Sequence, residues 1–244
     1  MMRSFTRTAG SVFLSAVAML LLQPEVVAQD FPFQPEYDVE ESGFRSIFNG
    51  QDLEGWTYDP VYWSVQDGML VGEVTPETIL KQNSFIIWTE AQPADFELKM
   101  EFRVSDRGNS GINYRSSKIE DLYALKGYQL DIDGQNRYTG MMYEERGRQI
   151  LAHRGDATIC IDGRKIVTSS VGDADELAPT PGEWHQAHII AYGTTLVHII
   201  DGRVTSVTVD MDAANRTAQG YIGMQVHTGP PMKIEYRNIR IKEY

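Results

Sequence analysis

The chain has 244 residues, a formal net charge of −12 and hydrophobic residues at 42% of its positions. This length and apolar content are enough for a globular domain with a sizeable core. The acidic balance excludes nucleic acid and anionic lipid as expected partners, and it leaves neutral ligands such as sugars.

Residues 1–28 are predicted to be a secretion signal. Arg3 and Arg7 give a positive start, residues 12–22 are apolar, and Val-Val-Ala precedes a cleavage site after Ala28. The apolar run is well short of the roughly 20 residues that span a bilayer, so no stable membrane span is expected after signal cleavage. Residues 29–42 are predicted to be a linker and residues 43–244 the folded domain. The protein is therefore expected to be exported, and to be periplasmic, bound to the cell envelope or secreted.

After the linker, apolar and polar residues alternate with a period of two, and no segment keeps a helical period of 3.6. The clearest predicted strands are 96–104, 111–115, 128–133, 157–161, 188–192, 196–200, 205–210, 220–227 and 233–241. Asp-Gly pairs at 67–68, 162–163 and 201–202 are typical of two-residue hairpin turns. Short strands separated by such turns predict an all-β fold, a two-sheet antiparallel β-sandwich or jelly roll.

Two segments between the clearest strands allow narrower statements. Cys160 is the single cysteine, and its apolar surroundings predict a buried hydrophobic residue. Residues 136–155 are less regular and rich in arginine, tyrosine and glutamate. They fit a long functional loop and a hairpin with polar faces equally well.

One face of the predicted strands concentrates groups that make directional hydrogen bonds. The alternation places Glu101, Arg103, Asn113, Arg115, Gln129, Asp131, Asp133, Gln225 and His227 on it, with Tyr143 near in sequence. Such groups suit an oligosaccharide or glycoside, because amides and charged groups bond its hydroxyls and aromatic rings pack on its C–H surface. The alternative is a solvated outer face.

An ordinary glycosidase mechanism, which uses two carboxylates, is disfavoured at this face. Sandwich glucanases usually carry a Glu-x-Asp-x-x-Glu strand, and this chain has Gln129 at the first position. A glutamine cannot act as nucleophile or acid.

The order of short motifs resembles the 3-keto-disaccharide hydrolase domain family over residues 43–244. The motifs are FNGQDLEGW at 48–56, WSVQDGML at 63–70, DFEL at 95–98, EFR at 101–103, GNSGINYR at 108–115, GYQLDID at 127–133, GEW at 182–184, MQVH at 224–227 and YRNIRIK at 236–242. The resemblance implies a concanavalin A-like jelly roll that acts on sugars oxidised at C3. Asp131 departs from the glutamine that many relatives carry there, and it adds a charge.

The implied reaction is removal of the C2 proton, elimination at C1 and rehydration, which needs a base, donors at the C3 oxygen and an acid. We hypothesise that Asp131 or Glu101 is the base, that Arg103 and Arg115 stabilise the enolate, and that His227 serves the leaving group or the water. All five are expected to converge on one hollow. Substrate-binding residues are predicted to be Arg103, Asn113, Gln129, Asp133, Tyr143 and Gln225.

Several alternatives stay open at this point. Glu101 and Arg103 could pair across or along strands, and His227 could be a strand-end histidine without a role. Asp131 and Asp133 could hold a divalent cation, calcium or manganese, since carboxylates suit hard cations. A non-catalytic carbohydrate-binding module and a structural envelope protein are the competing functions.

Overall fold

The computed structural model describes residues 43–119 and 122–244. The predicted signal sequence and linker lie outside these residues, so they stay predictions. The described elements are β1 (Arg45–Ser46), β2 (Trp56–Thr57), β3 (Trp63–Gln66), β4 (Met69–Val74), β5 (Ser84–Trp88), β6 (Phe96–Val104), β7 (Asn109–Ile119), β8 (Ala124–Asp133), β9 (Met142–Glu145), β10 (Gln149–Ala152), β11 (Asp156–Ile161), β12 (Arg164–Ser170), β13 (His185–Tyr192), β14 (Thr195–Ile200), β15 (Arg203–Asp210), β16 (Tyr221–Val226) and β17 (Met232–Glu243). The all-β prediction is confirmed, and the described residues contain no helix that could cross a membrane.

The strands form two sheets that pack face to face. A ten-stranded sheet has the order β12-β11-β15-β14-β13-β6-β17-β4-β3, with β1 added beside β17. A seven-stranded sheet has the order β10-β9-β8-β7-β16-β5-β2. Pairing is antiparallel throughout the described strands except between β11 and β15, which run parallel. The predicted two-sheet sandwich is therefore confirmed.

The three Asp-Gly pairs form the tight turns that the sequence predicts. Asp67, Asp162 and Asp201 have φ near 50°, and the glycine after each also has a positive φ. The flanking residues pair directly, as Gln66 does with Met69, so each turn has two residues.

Alternation along the strands builds the core between the sheets. In β6, Phe96, Leu98, Met100 and Phe102 are buried while the residues between them are partly exposed. Each such side chain contributes roughly 1.5–3 kcal/mol when it leaves water. Cys160 lies in the same core as a free thiol, as expected.

The hairpin of β7 and β8 bends sharply at its middle. The register shifts between Tyr114 and Ser117, and Arg115 has φ 44°. A Cβ at Gly127 would lie 2.4 Å from the hydroxyl of Ser116, so only glycine allows the two strands to approach here.

Beyond the bend lie residues 117–119 and 122–126, which we call the outer half of the hairpin. The outer half crosses the outer face of the seven-stranded sheet. Leu125 lies against Gly223 of β16, where a Cβ would be 2.7 Å from its Cδ1. The Phe85 N–H of β5 then donates to the Tyr123 carbonyl at 2.8 Å. This outer half covers Phe85 and Ile87 on a face that would otherwise be open.

The β9–β10 hairpin is held in place by a buried cation. Arg148 donates to Glu144 at 2.7 Å and to Asp210 at 2.6 Å, and all three side chains are largely buried. Lys165 adds hydrogen bonds to the carbonyls of Arg148 and Ile150. The irregular segment 136–155 is thus a hairpin that extends the sheet, and its outer face also lines the pocket described next.

Candidate active site

A pocket of about 490 Å³ opens on the outer face of the seven-stranded sheet, within the range of roughly 300–1,000 Å³ typical of ligand sites. Tyr128, Leu130 and Ile132 of β8 point into the core, so the intervening Gln129 and Asp131 face the pocket. The full lining is Asn83, Asn109, Gln129, Asp131, Tyr138, Tyr143, Glu145, Arg146, Ile150, Gln225 and His227.

A chain of amides crosses three strands and ends on Asp131. Gln225 Nε2 donates to Gln129 Oε1 at 3.4 Å, and Gln129 Nε2 donates to Asp131 Oδ1 at 3.4 Å. Gln129 lies across Gly111, where a Cβ would be 2.4 Å from the Gln129 Cδ atom. The glycine therefore makes room for the side chain that orients the Asp131 carboxyl group.

Asp131 is the most perturbed carboxyl group in the pocket. Only 9% of the residue is exposed. Burial raises its pKa from 3.8 to about 7, and the neighbouring charges of Asp133 and Glu145 act in the same direction. Its hydrogen bonds from Ile132 N–H and Gln129 oppose the rise. A carboxyl group with a pKa near 7 can exchange a proton at neutral pH.

Glu145 is a second carboxyl group in the pocket. Burial raises its pKa as well, against the opposing effects of Arg146 and of a hydrogen bond from Asn83. Asn83 Nδ2 lies 3.5 Å from Glu145 Oε1, and Arg146 Nε lies 3.9 Å from the same oxygen. A raised pKa keeps more of this group in the protonated form that an acid needs.

His227 completes the group of titratable side chains. Its Nδ1 lies 2.6 Å from the Thr228 carbonyl oxygen, which can only accept a hydrogen bond, so Nδ1 carries a proton. In the neutral ring Nε2 is then the free acceptor, and in the imidazolium form it is a donor.

The structure brings together five of the ten predicted site residues. Asp131, His227, Gln129, Tyr143 and Gln225 all line this one pocket. Tyr143 is the cross-strand neighbour of Gln129.

Glu101 and Arg103 lie elsewhere, so their expected convergence with Asp131 is wrong. Both belong to β6 in the ten-stranded sheet. Glu101 pairs with Arg237, and Arg103 pairs with Glu235, at 2.7 Å in each case. These residues are direct cross-strand neighbours on β17, which is the pairing alternative that the sequence left open.

The sequence pattern also predicted the wrong position for Arg115. The bulge at Arg115 turns its buried guanidinium toward the carbonyls of Ala94 and Gly193, at 2.7 and 2.8 Å, and toward Asp95 at 2.9 Å. It anchors two loops and does not line the pocket.

Asn113 and Asp133 do not line the pocket either. Asn113 is fully buried opposite Gln129, and neither of its side-chain polar atoms has a partner among residues 43–119 and 122–244. Asp133 accepts hydrogen bonds from the backbones of Gln135 and Arg137 at 3.1 and 3.0 Å. It therefore organises the loop after β8.

Sequence reasoning missed six lining residues: Asn83, Asn109, Tyr138, Glu145, Arg146 and Ile150. Glu145 is two residues from Tyr143, so strict alternation along β9 would have placed both on one face. Asn83 lies just before β5, where no alternation exists to indicate its direction.

The residues that the structure describes include no group of three or more His, Cys, Asp or Glu side chains that could hold a metal ion. The oxygens of Asp133 that a cation would need are occupied by backbone N–H groups. The Asp131–Asp133 cation site is therefore not supported by the geometry.

A family model described as the 3-keto-alpha-glucoside-1,2-lyase-like domain matches residues 43–242. The chain belongs to this family. The whole pocket lies within the matched residues of this lyase-like domain, and the resemblance found in the sequence motifs is confirmed. Membership supports a glycoside-acting enzyme over a carbohydrate-binding module without activity.

One curated relative carries a related name. A 3-keto-disaccharide hydrolase from Bacteroides thetaiotaomicron is 26% identical over 242 residues, which cover 84% of this chain and 79% of that protein.

Solved structures show the same sandwich. A protein from Parabacteroides distasonis, assigned to the glycosyl hydrolases, matches with a TM-score of 0.57 and 18% identity over 83% of this chain and 94% of that one. The carbohydrate-binding module CBM66 from Bacillus subtilis matches with a TM-score of 0.52 and 16% identity over 78% of this chain and 96% of that one. At these identities the likeness concerns the fold alone.

Proposed function

We propose that the protein cleaves 3-keto-glycosides, including 3-keto-disaccharides, by removing the C2 proton, eliminating the substituent at C1 and rehydrating the product. The observation that carries this proposal is Asp131, a buried carboxyl group with a pKa raised to about 7 in an amide-lined pocket. The family match and the name of the Bacteroides relative support the substrate class.

The first step is a proton transfer to Asp131. A ketone at C3 acidifies the C2–H bond, because the electron pair left on C2 forms a C2=C3 bond and the charge moves to the C3 oxygen. A base with a pKa near the working pH performs this step best. Asp131 meets that condition because burial, and not a special partner, raises its pKa.

The enolate needs positive charge or hydrogen-bond donors. Arg146 is the permanently charged cation of the pocket lining. We therefore assign to its guanidinium the stabilisation of the enolate that the sequence suggested for Arg103 and Arg115. The amide of Asn109 adds a neutral donor.

In the second step the enolate collapses, C1=C2 forms and the C1–O bond breaks. The departing oxygen takes a proton, and Glu145 is the group whose raised pKa favours holding one. Water then adds across C1=C2, with hydroxide at C1 and a proton at C2. We assign the proton of that water to His227, a lining residue whose Nε2 is the acceptor of the neutral ring.

Ordinary glycoside hydrolysis would also use one ionised and one protonated carboxyl group. The raised pKa values of Asp131 and Glu145 therefore do not by themselves separate the two mechanisms. The family match and the name of the Bacteroides relative favour the keto substrate, and the following substrate comparison distinguishes the two reactions.

The test compares a 3-keto-disaccharide with its unoxidised counterpart. We expect cleavage of the keto substrate alone, with a rate that rises with pH through about 7 as Asp131 ionises. In D₂O, keto sugar recovered before full turnover should carry deuterium at C2. Asp131→Asn should lower kcat/KM by roughly 10²–10⁴-fold, whereas Asp106→Asn, on an exposed turn, should not.

Two results would contradict the proposal. Equal cleavage of the unoxidised disaccharide would indicate an ordinary glycosidase. Binding of sugars by calorimetry without turnover of the keto substrate would indicate the carbohydrate-binding alternative.

A further inference from the structure

A second, smaller pocket adjoins the candidate active site. We call it the side pocket and define it by Tyr62, Lys81, Asn83, Ser84 and Tyr123. Its volume is about 270 Å³, and it shares Asn83 with the main pocket. It is built by the β2–β3 loop, the β4–β5 loop and Tyr123, which directly precedes β8.

We propose that the side pocket binds the second sugar ring of the substrate, the ring that leaves, while the main pocket holds the 3-keto ring. The assignment rests on the proposed function, because it divides one disaccharide between the two pockets. Under this assignment the preferred leaving group is a hexose, and not a small or purely apolar aglycone.

The lining of the side pocket has the composition that a sugar ring requires. Tyr123 is 39% exposed, so part of its ring is available for the C–H surface of a sugar. Lys81 and Gln82 of the same lining are exposed, and their side chains can hydrogen-bond sugar hydroxyls.

Asn83 marks the point where the glycosidic bond would pass from one pocket to the other. Its Oδ1 accepts the Thr228 N–H at 3.0 Å, and its Nδ2 lies 3.5 Å from Glu145 Oε1. Thr228 directly follows His227. Asn83, at the boundary between the pockets, therefore contacts both Glu145, the proposed acid for the leaving oxygen, and the residue next to His227, the proposed acceptor of the water proton.

The kinetic test uses two substrates that share the keto ring: a 3-keto-disaccharide and methyl 3-keto-glucoside, in which a methyl group replaces the second ring. We expect Tyr123→Ala to raise KM for the disaccharide by about fivefold to tenfold, the effect of losing one ring face. The methyl glycoside should be unaffected. Tyr192→Ala removes a tyrosine that is 60% exposed on β13 of the ten-stranded sheet, and it serves as the matched control.

Equal effects of Tyr123→Ala on both substrates, or no effect on either, would overturn the assignment. A binding measurement separates this failure from failure of the proposed function. Saturation-transfer NMR with free glucose should show binding to the wild type and a loss of signal with Tyr123→Ala. If the wild type turns over neither substrate, Tyr123-dependent glucose binding still supports the side pocket, and its absence rejects it.

Discussion

Replacing Asp131 with asparagine is expected to make the protein more stable while it lowers kcat/KM. Burial shifts the pKa of Asp131 from 3.8 to about 7, and each pKa unit corresponds to about 1.4 kcal/mol. The ionised carboxylate therefore costs the folded state up to about 4 kcal/mol above neutral pH. Asparagine has nearly the same shape and carries no charge.

Because the pKa of Asp131 is raised in the folded state, the stability difference between Asp131→Asn and the wild type should grow with pH. Below about pH 4, Asp131 is protonated in both states, and the two proteins differ least. As the pH rises to about 7, the carboxyl group ionises first in the unfolded chain, so the wild type loses stability that Asp131→Asn keeps. Above that pH the difference is constant.

Urea denaturation of both proteins across this pH range measures the difference directly. Asp106→Asn removes an exposed charge, and it should show no comparable gain. A free energy of unfolding for Asp131→Asn that equals the wild-type value at alkaline pH, or that differs from it equally at every pH, would refute the reasoning. Loss of turnover without a gain in stability would indicate a role for Asp131 that does not involve a desolvated charge.

Three further predictions address other residues. Glu145→Gln is expected to slow the cleavage of a 3-keto-disaccharide about tenfold to a hundredfold. Cleavage of a nitrophenyl 3-keto-glucoside should slow much less, because nitrophenolate leaves without a proton. Equal losses of rate on the two substrates would contradict the acid role. Arg148→Met leaves Glu144 and Asp210 buried without their cation, so urea denaturation should show a loss of about 3–5 kcal/mol; a loss below about 1 kcal/mol would show that the pairs are not needed. Burial raises the pKa of Cys160 to about 11, so a disulfide reagent should label it only after unfolding; rapid labelling of the native protein would contradict this burial.

Alternation predicted which residues share a face of one strand, and that was enough for the core and for part of the site. The positions of Gln129 and Asp131 follow from the buried Tyr128, Leu130 and Ile132 that alternate with them. The same pattern placed Glu101 with Asp131, because a period of two shows which side of a strand a residue occupies and not which sheet the strand joins. Strand order depends on long-range packing that no local pattern contains.

Arg115 shows a second limit. Its predicted direction assumed an unbroken strand, but the register shifts between Tyr114 and Ser117 and Arg115 adopts φ 44°. A bulge adds one residue to a strand and reverses the side on which the following residues lie. Glycine at 127 is a signal for such an irregularity, although a glycine alone does not show where the register shifts.

Strand β8 puts the proposed base and the proposed leaving-group pocket on one continuous piece of chain. Asp131 lies on its inner half, which is paired within the sheet, while Tyr123 directly precedes its other end. On this proposal, changes at Tyr123 would alter which departing group is accommodated without moving Asp131. Libraries aimed at new leaving groups can therefore begin at Tyr123, with Asp131 and Glu145 left as they are.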